Sequence, residues 1–369
     1  MTDSRVEKYA RILVDYSTQV KPGDKVAITT STAAEALVQV LYGLILERGG
    51  YPHVLMDFAD QDEIFFAHAK ENHLNWAPSF HKTAYESFDV LLKVRADTHT
   101  RALTNVDPAK QAQRNKALAP LLRAQLKRGS EGALRWMSTL FPTRAYAMEA
   151  DMGYEEFQNF VFGACHADEG TADPVAFWQS VNAKQQTYIE RLEGHDRVEL
   201  RGPNVDLTLS IKGRKFVNGC GHSNMPDGEI FTGPVENSLN GWVRYSYPAI
   251  YQGRVVEGVE LTFKEGKVVK ATATKNQAIL LQMIDSDAGA RYVGEFAIGT
   301  NFQIQRFSKN ILFDEKIGGS FHMALGAGYP ETGSANKSVL HWDMICDLRQ
   351  DSEILVDNAV VYKNGQFVE

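Results

Sequence analysis

The residues best placed to do chemistry fall between Asn224 and Asp347, in segments that read as turns and strand ends. One is Ser338-Val-Leu-His341-Trp-Asp343. Side chains two apart on a strand face the same side, so His341 and Asp343 could present an imidazole and a carboxylate together. Such a pair suits a single divalent cation. The other is His322-Met-Ala-Leu-Gly-Ala-Gly-Tyr329-Pro-Glu331, whose His322 would complete two histidines and one carboxylate. Upstream stand Glu229, in PDGEIFTGPVE (Pro226 to Glu236), and Glu295, in GEFAIGTN (Gly294 to Asn301). Each feature also has a plainer reading. A histidine and an aspartate two apart are commonly a hydrogen-bonded surface pair, lone glutamates in a β domain commonly solvated edge residues, and an aromatic before proline commonly packs. Residue types and spacing leave a metal site and its absence equally open.

Other chemistries have no motif here. There is no GxxxxGK[ST] phosphate loop, no GxGxxG after a strand, no GxSxG elbow and no HExxH. The turn Thr29-Thr30-Ser31-Thr32-Ala33 could offer hydroxyls and backbone N–H groups to an anion at a helix start. It lacks a glycine for close approach, so helix capping is the expected role.

These segments need elements to position them. In the first half, Val6, Tyr9, Ala10, Leu13, Tyr16, Ser17 and Val20 recur at helical spacing, and Pro22-Gly23 ends that helix. Lys25 to Thr29, His53 to Asp57, Asp89 to Arg95 and, more weakly, Ala133 to Met137 are short apolar runs; a helical stretch spans Ala33 to Arg48. Near-continuous apolar strands separated by helices predict a mainly parallel sheet covered on both faces. The charged stretch Asp107 to Arg128 is expected to be a helix with a solvated face. Helical pattern continues from Asp151 to about Gly194. Beyond Asp196 the texture turns to short strands: Val198 to Leu200, Asp206 to Lys212 and Val259 to Phe263. Asn218-Gly219, Glu265-Gly266 and Asn364-Gly365 are the turn candidates, and one helix is expected near Asn276 to Ile284. The expectation is an α/β domain over 1–195 and a β-rich domain over 196–369.

At 369 residues the chain is long for one core and long enough to fold without disulfide or metal. Its 39 basic and 46 acidic residues give a net charge of −7, which argues against a nucleic-acid partner. Cys165, Cys220 and Cys346 form no CxxC pair and read as free thiols. No apolar run reaches membrane length, and the first residues carry acidic side chains and no apolar stretch. The expected location is the cytoplasm.

The same segments carry a resemblance. With Asn224 to Glu236 (NMPDGEIFTGPVE), Gly241 to Glu260 (GWVRYSYPAIYQGRVVEGVE), Gly294 to Asn301 and Asn310 to Gly319 (NILFDEKIGG), the two histidine segments resemble the thermophilic aminopeptidase family of metallopeptidases. The likeness runs along nearly the whole chain. It implies an N-terminal α/β domain, a C-terminal β-rich domain carrying the metals, and a homodimer with an enclosed cleft. It further implies two divalent ions (cobalt, zinc or manganese) held by Glu229, Glu295, His322, Tyr329, His341 and Asp343. By the same likeness Glu295 is the shared carboxylate, and Glu229 and Glu295 are the candidates for a proton shuttle. Tyr329 is the weakest of these ligands, because a neutral phenol binds poorly. The implied reaction is removal of N-terminal residues from short peptides by metal-activated water. Glu236 and Glu331 are candidates to hold the substrate's α-amine. The link from Tyr329 to His341 is short beside some relatives, with consequences for access to the cleft. Two competing readings stand. His322, His341 and Asp343 alone match mononuclear iron oxygenases, a class to which ring-opening relatives of the family belong. A silent binding protein of the same fold would keep none of this chemistry.

Overall fold

The computed structural model describes residues 3–251 and 253–368. They form two compact units, one running to Gln179 and taking in Gly221–Pro226, the other made of Ser180–Cys220 and the chain from Asp227 onward.

In the first unit, a five-stranded parallel sheet is ordered Tyr51–Asp57, Lys25–Ser31, Val90–Arg95, Arg135–Leu140, Asn224–Met225. Val26, Ala27 and Ile28 on one strand and Val90, Leu91 and Leu92 on the next are fully buried, as strands covered on both faces must be. On one face, Ala27 and Leu91 pack against Ala84 and Tyr85 of the helix Ser79–Ser87 and Leu121 of the helix Pro108–Ser130. That long helix starts as its sequence dictates. Asp107 accepts a hydrogen bond from the Ala109 N–H at 2.8 Å, and Pro108 occupies a first-turn position where no N–H is needed. Ser31 likewise caps the short turn Thr32–Ala34 by accepting from the Ala33 N–H at 3.2 Å, the role expected of that hydroxyl-rich segment.

The second unit is β-rich. An eight-stranded antiparallel sheet and a five-stranded antiparallel sheet contribute to one buried cluster, with Val198, Leu200, Leu207 and Leu209 from the first and Ile230, Phe296, Phe321, Met323 and Trp342 from the second. A helix, Gln277–Ile284, adds Leu280 and Ile284. Glu265-Gly266 and Asn364-Gly365 turn their hairpins with both residues at positive φ (51° and 81°, 49° and 83°). Asn218-Gly219 does not. It belongs to the strand Val217–Gly219, where the Asn218 side chain is tied to Asn182 and Gln185 instead of closing a turn. Mixed α/β architecture followed by a β-rich half is the fold class the sequence predicts. Among the described residues no helix is long and apolar enough to cross a membrane.

Candidate metal centre

The five-stranded sheet runs His341–Asp347, Ser320–Gly326, Val293–Gly299, Glu229–Thr232, Val217–Gly219. Its strands alternate, and the register aligns the alternation across the sheet. Cross-strand partners share a face, so Glu295 pairs with Ala324 and Ala324 with Asp343; Ala297 pairs with His322; Gly326 pairs with His341; and Gly299 pairs with Glu229. All five residues therefore emerge on one side. Their neighbours there are alanine or glycine, which leaves room between the functional groups. The opposite face presents Ile230, Phe296, Ile298, Phe321, Met323, Leu325, Trp342 and Met344 to the core. Apolar burial on the back thus fixes which side chains stand on the front, since slipping one residue would exchange the two sets.

On the front face, the His322 Nε2 lies 3.4 Å from Glu229 Oε2 and 3.5 Å from Glu295 Oε1. The His341 Nε2 lies 3.5 Å from Glu295 Oε2 and 3.6 Å from Asp343 Oδ1. These spacings are long for hydrogen bonds. They match the edge of a tetrahedral metal shell, where two donors about 2.1 Å from one ion stand roughly 3.4 Å apart. Three groups of potential ligands have donor atoms within 4.8 Å of one another: Glu229, Glu295 and His322; Glu295, His341 and Asp343; and Glu315, His322 and Asp343. Glu295 belongs to the first two, offering a different oxygen to each histidine. No such group unites His322, His341 and Asp343 among the described residues. Burial sharpens the point. Glu229 is 5% exposed and His322 1%, and Glu229 Oε2 and Asp343 Oδ1 are buried without a hydrogen-bond partner. Orphaned carboxylate oxygens are costly unless a cation satisfies them. The donor set therefore fits divalent cations.

Neighbouring groups hold these side chains in place. The ring of His341 is oriented by a 2.9 Å hydrogen bond from Nδ1 to the Ala327 carbonyl, which assigns a proton to Nδ1 and aims Nε2 at the carboxylates. Buried Gln185 donates to the Glu229 carbonyl at 3.0 Å and to the Gly219 carbonyl at 3.0 Å, and accepts from the Thr300 hydroxyl at 2.7 Å. The short strand bearing Glu229 is pinned from outside its own sheet.

Two residues that the sequence did not single out complete the electrostatics. Lys316 is fully buried, with its ammonium 3.4 Å from Glu229 Oε1 and in close contact with Glu315. Burial alone would depress that ammonium, but Glu229 and Glu315 outweigh it and hold it charged. Glu229 is itself pushed up to about 8 by burial, against the pull of Lys316. Burial would lower His322, yet Glu295 and Glu229 beside its ring, with Asp343 beyond, lift it to about 10. Without a metal the pocket thus retains protons that a cation would displace. Glu315 and Lys316 follow the short helix Ile311–Asp314, whose Asp314 is buried and accepts from the Ser308 N–H and hydroxyl at 2.6 and 2.8 Å. An adjacent Glu-Lys pair normally reads as surface; the turn anchored by Asp314 is what folds this one inward.

Tyr329 stands beside the cluster, its ring 5.5 Å from that of His341 and 5.3 Å from Phe231, and is 40% exposed. Burial and the nearby carboxylates of Glu295, Asp343, Glu315 and Glu229 push its phenol well above the ordinary tyrosine value, so its hydroxyl faces the cluster. Glu236 is committed elsewhere: it pairs with Arg214 at 2.7 Å and accepts from the Ala335 N–H at 2.7 Å. Glu331 is exposed in the turn Pro330–Thr332.

The family model described as thermophilic metalloprotease (M29) matches residues 2–367. The chain belongs to that family. Aminopeptidase 2 from Geobacillus stearothermophilus is 28% identical over 356 residues, covering 89% of this chain and 84% of the relative. The structure of wild-type AmpT from Thermus thermophilus superposes with a TM-score of 0.85 at 23% identity, covering 99% of each chain. The 2,5-dihydroxypyridine dioxygenase of Pseudomonas putida KT2440 superposes at 0.56 with 14% identity, covering 99% of this chain and 96% of that one, and shares the fold alone. Family and curated relatives agree that this chain is a metallo-aminopeptidase, a hydrolase dependent on divalent metal.

Proposed function

We propose that the centre holds two divalent ions, one between Glu229, Glu295 and His322 and one between Glu295, His341 and Asp343, with Glu295 as the shared carboxylate. The observation that carries this reading is the pair of ligand groups meeting on opposite oxygens of Glu295 at metal-shell spacing. Tyr329, whose phenol feels Glu295 and Asp343, completes the set. Cobalt, zinc and manganese all suit the mixed nitrogen and oxygen donors.

When bound, such a pair supplies a nucleophilic water at neutral pH and Lewis acidity for the developing oxyanion. The chain's own residues do the rest. Lys316 fixes Glu229 and offsets part of the carboxylate charge. The Ala327 carbonyl holds His341 in one tautomer. With Glu229 and Glu295 occupied as ligands, Glu315 is the carboxylate left within reach of His322 and Asp343, and it is better placed than either to move a proton. Glu331, not Glu236, remains available to meet a substrate amine. Short peptides are the substrates in this reading, and a homodimer in the cytoplasm is the working form.

A mononuclear iron oxygenase is not favoured. It would need His322, His341 and Asp343 about one ion, and it would leave buried Glu229 without a role. Counting metal by elemental analysis tests the proposal: two ions per chain in the wild type, and loss of both in Glu295→Gln. One ion per chain retained in that variant would refute the shared carboxylate.

A further inference from the structure

The first unit has a cleft of about 320 Å³ where its parallel strands end. The strand Lys25–Ser31 lies between Tyr51–Asp57 and Val90–Arg95, so successive connections leave it in opposite directions. Crevices at such points, beyond the carboxyl ends of parallel strands, are where α/β sheets bind ligands. The register shows how the sequence builds this one. Thr29 pairs with Lys93 and Ser31 with Asp57, so these side chains share the face that carries Ala27 and Leu91 lower in the sheet. Along each strand the face changes from apolar to polar at its mouth.

Lys93 is the unusual member. It is half-buried, yet its ammonium reaches only Gln125 Oε1, at 3.4 Å, and stands 6.0 Å over the Tyr85 ring. Among the described residues no carboxylate lies within ion-pair distance of it, although Asp57, Asp62, Glu63 and Asp97 line the same cleft. Burial, and then the nearby Arg95 guanidinium, depress this ammonium, as expected of a cation short of an anion. Three of those carboxylates already have donors: Asp57 takes the Gln61 amide at 2.7 Å, Asp97 the Tyr146 hydroxyl at 2.8 Å and Glu63 the His99 ring at 2.9 Å. Asp62 has no hydrogen bond or ion pair among the described residues. An unpaired ammonium inside and a rim of carboxylates, with Arg95 and His99 among them, suit opposite ends of one small ligand. The carboxylates against Arg95 leave the rim acidic on balance, which disfavours a simple anion, and a simple amine would leave Lys93 unmatched. Phe58, 55% exposed, and Tyr85 supply an apolar wall.

We propose that this cleft binds a free apolar α-amino acid, its carboxylate on Lys93 and Thr29 and its ammonium toward Asp62. The cleft shares no residue with the metal centre, and the inference does not rest on how that centre is read. The ligand is of the class that an aminopeptidase releases, so the site would report product.

Equilibrium dialysis of L-leucine against the full chain tests it. In Asp343→Asn, where binding at the metal centre is removed, leucine should still bind. Adding Lys93→Met, or independently Asp62→Asn, should weaken that binding about tenfold or more, the value of one charge-assisted contact. Lys93→Met and Asp62→Asn alone should keep wild-type peptide hydrolysis, which shows that they fold. On the Asp343→Asn chain, leucinamide and 4-methylpentanoate, each lacking one charge, should compete at least tenfold more weakly than leucine. Failure of Asp343→Asn to bind leucine, unchanged binding in both double variants, or equal competition by 4-methylpentanoate would each overturn the proposal. Hydrolysis by Asp343→Asn reports separately on the metal centre.

Discussion

Replacing Ala324 by valine removes no ligand, yet it should weaken metal binding. Ala324 is fully buried and paired across the sheet with Glu295 on one side and Asp343 on the other. Side chains so paired have Cβ atoms about 4.5–5.5 Å apart. Valine adds two methyl groups about 1.5 Å beyond the Cβ. Carbon atoms need about 3.5–4.0 Å between centres, and the functional atoms on this face already stand 3.4–3.6 Å from one another. Glu295 or Asp343 must therefore rotate away. The overpacking should cost about 1–3 kcal/mol of stability, which a chain of this size can absorb. Losing one ligand's geometry should weaken metal binding at least tenfold, about 1.4 kcal/mol. Zinc content at a buffered free concentration gives the affinity, peptide hydrolysis should fall with it, and circular dichroism checks the fold. Met323→Leu, on the opposite face of the same strand, is the control: it should cost less than about 1.5 kcal/mol and leave metal binding alone. A folded Ala324→Val protein that binds zinc like the wild type would refute the assignment of this face as the metal site.

Other outcomes follow from the same electrostatics. Lys316→Met leaves Glu229 and Glu315 without their buried cation and should destabilise the metal-free protein by about 3–5 kcal/mol in urea unfolding. Bound zinc should recover part of that loss, and an equal loss with and without zinc would contradict the charge argument. The pH dependence has a definite sign. In the metal-free pocket, Glu229 at about 8 and His322 at about 10 are both protonated at pH 6, and ligands must lose those protons to bind metal. Zinc affinity should therefore rise with pH from 6 to 8, with roughly one or two protons released per chain. Calorimetry in buffers of different ionisation enthalpy measures the release, and zinc affinity independent of pH over that range would be inconsistent with it.

Much of this site could be read from the sequence, for an identifiable reason. His341 and Asp343 sit two apart in a run whose intervening residues, Trp342 and Met344, are large and apolar, so alternation alone places them on one face. The same holds for His322 between Phe321 and Met323. Glu229 and Glu295 are different: nothing local distinguishes them from edge glutamates, and only the resemblance of the surrounding segments points to them. Glu315 and Lys316 escaped because their inward turn depends on the burial of Asp314 and on contacts made by residues far along the chain. Asn218-Gly219 looks like a hairpin turn until Gln185 and Asn182, more than thirty residues earlier, draw its side chain into a strand. The helices Gln61–His68 and Ser79–Ser87 have no sustained apolar period, since each buries only one or two side chains. Ser79–Ser87 forms against the sheet that its Ala84 and Tyr85 cover.

The most direct test is hydrolysis of a leucine-initiated dipeptide by metal-stripped protein, before and after addition of cobalt or zinc, beside an N-acetylated copy of the same peptide. Cleavage of the free-amine peptide alone, absent without metal and restored by it, is the expected result. Cleavage that ignores metal, or that accepts the blocked peptide equally, would contradict the account.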